Sequence, residues 1–231
     1  GSAYHPTTKF TDKNLVIADT FVYIVGAIDL AGNEKNSTAL TVSFTPGDII
    51  ECKISLEASW NLFSLPLIPD DNSIEVILAD MMENFTIVLS YEDDTWLSYI
   101  PGIPSEYNSL THMDDGIGYW ILMTAADTLT VYGLELPGPG ELPPVYDVYE
   151  GWNLIGFKEL YPMEINAYIA TIPGFVRASS VCYGWDATVQ EYEMVYLAGY
   201  PINVGELYEA LFYPGQGYWL YLTDDANIAP P

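Results

Sequence analysis

Carboxylates are the side chains with which this sequence could do the most chemistry. Asp and Glu number 32 against six Lys and Arg, a formal charge of −26. They gather in short runs: Pro69-Asp70-Asp71-Asn72, Glu92-Asp93-Asp94, Asp114-Asp115 and Asp224-Asp225. Calcium is held by several oxygens from carboxylates and carbonyls. Asp70, Asp71, Asp93 and Asp94 are therefore candidate calcium ligands, and calcium is the only cofactor suggested, although no run has the ordered spacing of an EF-hand loop. Glycoside hydrolysis needs two carboxylates roughly 5–10 Å apart across a cleft. Glu92, Asp93 and Asp94 form one acidic turn and Asp186 sits at the comparable place further on. Turns favour Asp on conformational grounds alone, and a turn cluster by itself raises no pKa.

Other reactive groups are sparse. The two histidines, His5 and His112, lie in no motif with a Ser or Cys nucleophile. The chain has no G-x-S-x-G elbow, no H-E-x-x-H and no Gly-Lys-Ser/Thr phosphate loop. Cys52 and Cys182 lack the C-x-x-C spacing of a structural zinc site. In an oxidising compartment they could form one bridge between distant segments, which stabilises by about 4–5 kcal/mol on the chain-entropy account. The other reading is two separate buried thiols, behaving as small hydrophobes. Asn36 and Asn84 each open an N-x-S/T sequon and could carry a glycan in an exported protein.

Aromatic side chains raise the question of binding, since sugars stack on Trp and Tyr faces. Trp60, Trp120, Trp152 and Trp219 stand in matching phrases, as expected of core anchors. Trp96 and Trp185 sit beside the acidic turns and are the candidate exposed platforms.

The elements that carry these residues read as strands. Residues 20–30, "TFVYIVGAIDL", alternate with a period of two; "AGNEKNS" follows as a turn cluster, and "TALTVSFTP" is a second strand ended by proline. From Asp48 onward the chain repeats itself. "SWNLFSLPL" (59–67) matches "GWNLIGFKEL" (151–160), and "GIGYW" (116–120) matches "GQGYW" (215–219). Between them, Ile74, Ile77, Leu78 and Met81, and likewise Ile165, Tyr168, Ile169 and Ile172, fall at helical spacing. Asn108 and Leu110 before the first phrase match Asn203 and Leu207 before the second. The domains expected are 1–47, a module at 48–136, a Pro/Gly linker at 137–144 and a second module at 145–231. Each module should run strand, short helix, several strands.

Phe21, Tyr23, Val25, Ala27, Asp29, Gly32 and Asn33 fill the places of a "Y-x-Y/V-x-V-x-A-x-D-x-A-G-N-E" stretch. That run resembles the last strands of a fibronectin type III domain, covering about half of such a sandwich. The repeated "WNLI…GYW" pattern is similar to repeats of archaeal and bacterial secreted or cell-surface proteins. These resemblances imply a mainly β fold: a partial Ig-like (fibronectin III) β-sandwich plus two homologous β-rich α+β repeats. They imply an extracellular or cell-surface location and no reaction. The opening Gly-Ser-Ala reads as a cloning remnant, and the chain as a fragment of a longer modular protein.

The expectation is a noncatalytic spacer, adhesion or scaffold region, with a carbohydrate-binding accessory module as the alternative. Its partners would be other domains of the parent chain, cell-surface proteins or a polysaccharide. A charge of −26 disfavours nucleic acid and anionic membrane surfaces. No apolar run approaches the roughly 20 residues that span a bilayer.

Overall fold

A computed structural model describes residues 20–23, 26–28, 34–36, 38, 40–43, 49–135, 144–198 and 211–230. They divide into two compact units, one before and one after the boundary at residues 48 and 49. In the first, β1 (Thr20–Tyr23) pairs antiparallel with β4 (Leu40–Ser43), and β2 (Gly26–Ile28) with β3 (Glu34–Asn36). Glu34, Lys35 and Asn36 thus belong to a strand, although composition placed them in the turn. Gly32 and Asn33 lie outside the described residues.

The second unit is mainly β and contains both repeats. Module 1 begins with β5 (Ile50–Leu56), β6 (Ser59–Ser64), β7 (Ile68–Pro69) and one helical turn, α1 (Ile74–Ile77). It continues with β8 (Phe85–Glu92), β9 (Thr95–Tyr99), β10 (Gly118–Met123) and β11 (Asp127–Leu134). Module 2 runs β12 (Tyr146–Val148), β13 (Gly151–Gly156), β14 (Met163–Glu164), α2 (Ile165–Tyr168) and α3 (Gly174–Arg177). It ends with β15 (Val181–Asp186), β16 (Glu191–Leu197), β17 (Leu211–Phe212), β18 (Gly217–Leu222) and β19 (Ala226–Ile228).

The two topologies match. The sheet β6-β10-β8-β9 has its counterpart in β13-β18-β15-β16, and the pair β5-β11 in β12-β19. The helical spacing read from sequence packs as expected. Ile74, Leu78 and Met81 are buried in the first core, and Ile165, Tyr168, Ile169 and Ile172 in the second. Cys52 packs against the first core and Cys182 is buried in the second; both are free thiols. The bridge considered between them is corrected on that ground: each sulfur belongs to the core of a different module. Burial pushes both thiol pKa values up, that of Cys182 far up.

The modules pack directly on each other, and the repeated phrase explains how. Its first glycine, Gly116 or Gly215, turns at positive φ, +77° and +78°. Its tyrosine points into its own module, where Tyr119 bonds the backbone of Asp114 and Tyr218 that of Tyr213. Its tryptophan, one residue on, faces the opposite way and meets the other module, because side chains alternate along a strand.

The second glycine lets the two backbones touch. A Cβ on Gly118 would stand 2.9 Å from Ile155 O, and one on Gly217 would stand 2.7 Å from Phe63 O. The contacts are reciprocal, as across a two-fold axis. Gly156 N donates to Gly116 O at 2.8 Å, and the equivalent Ser64 N donates to Gly215 O at 3.0 Å. The bridge Ile117–Ile155 is likewise repeated as Phe63–Gln216. Two modules separated by a spacer would share no such seam.

One ionic cluster marks the seam. Lys158 is buried; its ammonium donates to Glu135 O at 2.8 Å and faces Asp115 at 3.6 Å, while Tyr146 donates its hydroxyl to the same carboxylate. Burial lowers the Lys158 pKa, with Asp115 opposing the shift. Burial, helped by Glu135, pushes the neighbouring Glu159 up to about 7.

Candidate functional site

The seam carries a double set of aromatic rings. Trp120 of module 1 lies 6.1 Å from Trp60, 5.0 Å from Trp185 and 6.0 Å from Tyr192, centroid to centroid. Trp219 of module 2 repeats the arrangement with Trp152 at 6.3 Å, Tyr91 at 5.4 Å and Trp96 at 5.9 Å. In each set a hairpin of one module lays two cross-strand aromatics on the other module's tryptophan. These are Trp185 opposite Tyr192, and Tyr91 opposite Trp96. Tilted and edge-to-face aromatic pairs of this kind contribute about 0.5–1.5 kcal/mol each beyond the area they bury.

The two sets differ in how they are closed. At Trp60, the turn of the β15–β16 hairpin is long enough to bring in Gln190, at positive φ. Gln190 Oε1 accepts from Trp60 N at 3.0 Å, and its Nε2 donates to Trp60 O at 2.9 Å. Trp185 Nε1 donates to the same carbonyl at 2.9 Å. At Trp152, the partner hairpin turns on Asp93 and Asp94 alone, both at positive φ, and has no counterpart of Gln190. Trp152 is 42% exposed where its counterpart Trp60 is half-buried, and Trp219 is half-buried where its counterpart Trp120 is buried, whereas Trp96 and its counterpart Tyr192 are both exposed, at 50% and 57%. Tyr91, Trp96, Trp152, Tyr183, Tyr192 and Trp219 line an open, largely apolar cleft of about 450 Å³.

Tyr91 and Trp152 also line a second groove, of about 560 Å³, so the two cavities adjoin at these side chains. Six carboxylates face this groove: Glu92, Asp93, Asp94, Asp147, Glu150 and Asp225. Tyr91 donates its hydroxyl to Asp94 at 3.0 Å, and that bond raises the phenol's pKa.

The residues singled out by sequence land unevenly. Trp96 is an exposed wall of the cleft, as expected for a platform. Trp185 is a correction, being half-buried in the sealed set and bonded to Trp60. Trp152 is a second correction, since the matching phrase suggested a core anchor and the ring is open to solvent. Asp93 and Asp94 occupy both positions of a two-residue hairpin turn, which demands positive φ and tolerates Asp.

Asp71 accepts from Ser73 N at 2.9 Å ahead of α1, and hydrogen bonding to Ser73 lowers its pKa. Asp70 and Asp71 line a separate small groove with Val76 and Tyr132. Among the described residues no three Asp, Glu, His or Cys stand close enough together to hold one metal ion, so neither acidic run is a calcium cage as it stands. Asp186 is held down by Thr188, which donates to it from both hydroxyl and amide, the reverse of what a general acid needs. The carboxyl that is pushed up, Glu159, lines neither the cleft nor the acidic groove. Asn84 is half-buried with its amide donating to Asp127 at 2.7 Å, so a glycan there would displace that bond. Asn36 lies in β3.

Tyr91, Tyr183 and Tyr192 went unread as binding residues. The legible signal was cross-strand placement: Tyr91 and Trp96 flank a four-residue turn sequence, "EDDT", and so must face each other on one side of a hairpin. No family model matches the chain, and neither a curated protein nor a solved structure aligns with it.

Proposed function

We propose that this chain is a noncatalytic carbohydrate-binding region of a modular secreted or cell-surface protein, taking a sugar chain in the aromatic cleft. The observation that carries the reading is the difference between the two aromatic sets. One holds Trp60 under Gln190 and Trp185, and the other leaves its counterpart Trp152 open to a 450 Å³ cleft that Trp96 and Tyr192, both exposed, also line. Exposed indoles are a cost to solubility unless something covers them, and a purely structural seam would gain by sealing both sides. The cleft volume lies within the roughly 300–1,000 Å³ of small-ligand sites. Sugar rings present an apolar C–H face to stack on Trp152 and Trp96, and hydroxyl edges that the carboxylates along the adjoining groove accept.

The expectation of a rigid spacer or scaffold is supported by a different observation, the reciprocal backbone contacts of the seam. The two readings are compatible, because a seam of this kind holds the cleft's walls, which come from both modules, in fixed register.

Tryptophan fluorescence tests the reading on titration with soluble β- and α-linked oligosaccharides. A saturable change is expected that weakens at least about tenfold in Trp152→Ala and in Trp96→Ala, and stays unchanged in Tyr161→Ala, an exposed aromatic outside the cleft. Silence across the panel from the folded protein, or full binding by Trp152→Ala, would refute it.

A further inference from the structure

The acidic groove says what kind of sugar the cleft selects. A uniform acidic coat would be the plain account of six carboxylates in one place, since the chain carries 32. The reciprocal architecture supplies an internal control. The groove at the equivalent place on the other side of the seam has about 700 Å³ and is lined by Glu57, Asp186 and Glu193, with Lys53 among them. The groove that joins the open cleft has six carboxylates and no Lys, Arg or His among its lining residues. Among the described residues, negative charge is therefore concentrated at the end where Trp152 is open, and is diluted and partly neutralised where Trp60 is covered.

We infer that the ligand is a cationic carbohydrate, an amino-sugar polymer with free primary amines, whose rings stack in the aromatic cleft while its ammonium groups run along the carboxylates of the acidic groove. The inference rests on the carbohydrate reading above and narrows it. Tyr91 and Trp152 line both cavities, so a chain stacked on Trp152 has the carboxylates of the groove beside it. Aromatic faces also attract cations directly, which adds to the carboxylates. An N-acetylated chain would offer the same stacking faces and none of the charge, and an anionic polysaccharide would be repelled.

The test uses the intact protein at about pH 5.5, where primary amines carry their proton. Three probes of equal length are titrated at low salt: a fully deacetylated β-1,4-glucosamine hexamer, its N-acetylated counterpart and a β-1,4-glucose hexamer. An oligolysine of equal charge is the fourth. The glucosamine hexamer is expected to bind about tenfold tighter than the N-acetylated one, with that preference fading as salt rises. It should shrink to about threefold or less in the triple variant Glu92→Gln, Asp94→Asn, Glu150→Gln, all exposed positions where the amide keeps the shape.

Equal binding of all three sugars would overturn the charge inference and leave the sugar cleft standing. So would a preference that survives in the triple variant. Oligolysine binding as tightly as the glucosamine hexamer, with Trp152→Ala weakening neither, would overturn it as generic charge attraction. No sugar binding at all would overturn the carbohydrate reading itself.

Discussion

Gly156→Ala isolates the seam. A Cβ at this position would stand 2.6 Å from Ile117 O and 2.9 Å from both Gly116 C and Ile117 N. All three are backbone atoms of the other module, so no side-chain rotation can relieve the overlap. The backbones must separate by several tenths of an ångström. That strains the Gly156 N–Gly116 O bond at 2.8 Å and the Phe157 N–Ser64 Oγ bond at 3.1 Å. Overpacking costs about 1–3 kcal/mol and each weakened buried hydrogen bond about 1 kcal/mol. The expected loss is about 3–5 kcal/mol.

Gly174→Ala is the matched control. A Cβ there meets nothing within 4 Å, and the residue begins α3, where Ala is the better helix former. Its stability should be unchanged or higher by up to about 1 kcal/mol. Urea unfolding followed by tryptophan fluorescence reads both variants, since the rings of the seam report its opening. If Gly156→Ala unfolds within about 0.5 kcal/mol of the parent, the modules are not in backbone contact and the seam described above is wrong. A split into two transitions would show that the modules can fold apart, and that the seam, rather than either core, takes the damage.

Two further substitutions follow from single residues. Glu159 has its carboxyl pushed up to about 7, mainly by burial, so the native state binds its proton more tightly than the unfolded chain does. Its stabilising effect is fully present below the unfolded value near 4.5 and is lost as pH rises through about 7. Glu159→Gln should therefore match the parent at low pH and exceed it at pH 8 by on the order of 1 kcal/mol, the side chain's partial exposure being allowed for; equal stability at both pH values in urea titrations would refute this. Ser59 sits at φ +84°, where the second module has Gly151 at +100°. A non-glycine residue pays about 1–2 kcal/mol for that conformation and glycine about 0.5–1 kcal/mol in chain entropy. Ser59→Gly should raise stability by about 0.5 kcal/mol, and a lower urea midpoint would refute the strain.

Local periodicity carried much of the fold. The spacing of Ile74, Leu78 and Met81, the two-residue turn at Asp93–Asp94 and the matching phrases all depend on near neighbours, and all are readable from the chain. The site was not readable in the same way. Whether Trp152 is core or surface depends on which hairpin of the other module lies over it and how long its turn is. A repeated phrase invites equal roles for Trp60 and Trp152. The hairpin turn opposite Trp60 brings Gln190 and the one opposite Trp152 does not, and that difference sits in residues far from either tryptophan. Tyr119 and Trp120, adjacent on β10, face opposite ways. Two large apolar faces on one strand require cover on both sides, which a lone module cannot provide.

A duplicated module that packs on its own copy separates structural demand from other demand. Contacts needed for the seam must occur on both sides of the two-fold relation, and they do: glycine against backbone, the paired bridges, a tryptophan under a cross-strand aromatic pair. Features present on one side only answer to something else. Two such features, the missing cover over Trp152 and the excess of described carboxylates beside it, six against three, fall at the same end. Had they fallen at opposite ends, an acidic coat and a loose hairpin would each suffice as an explanation. Their coincidence places an aromatic floor next to an anionic wall, and that pairing is what a cationic ring-shaped ligand requires.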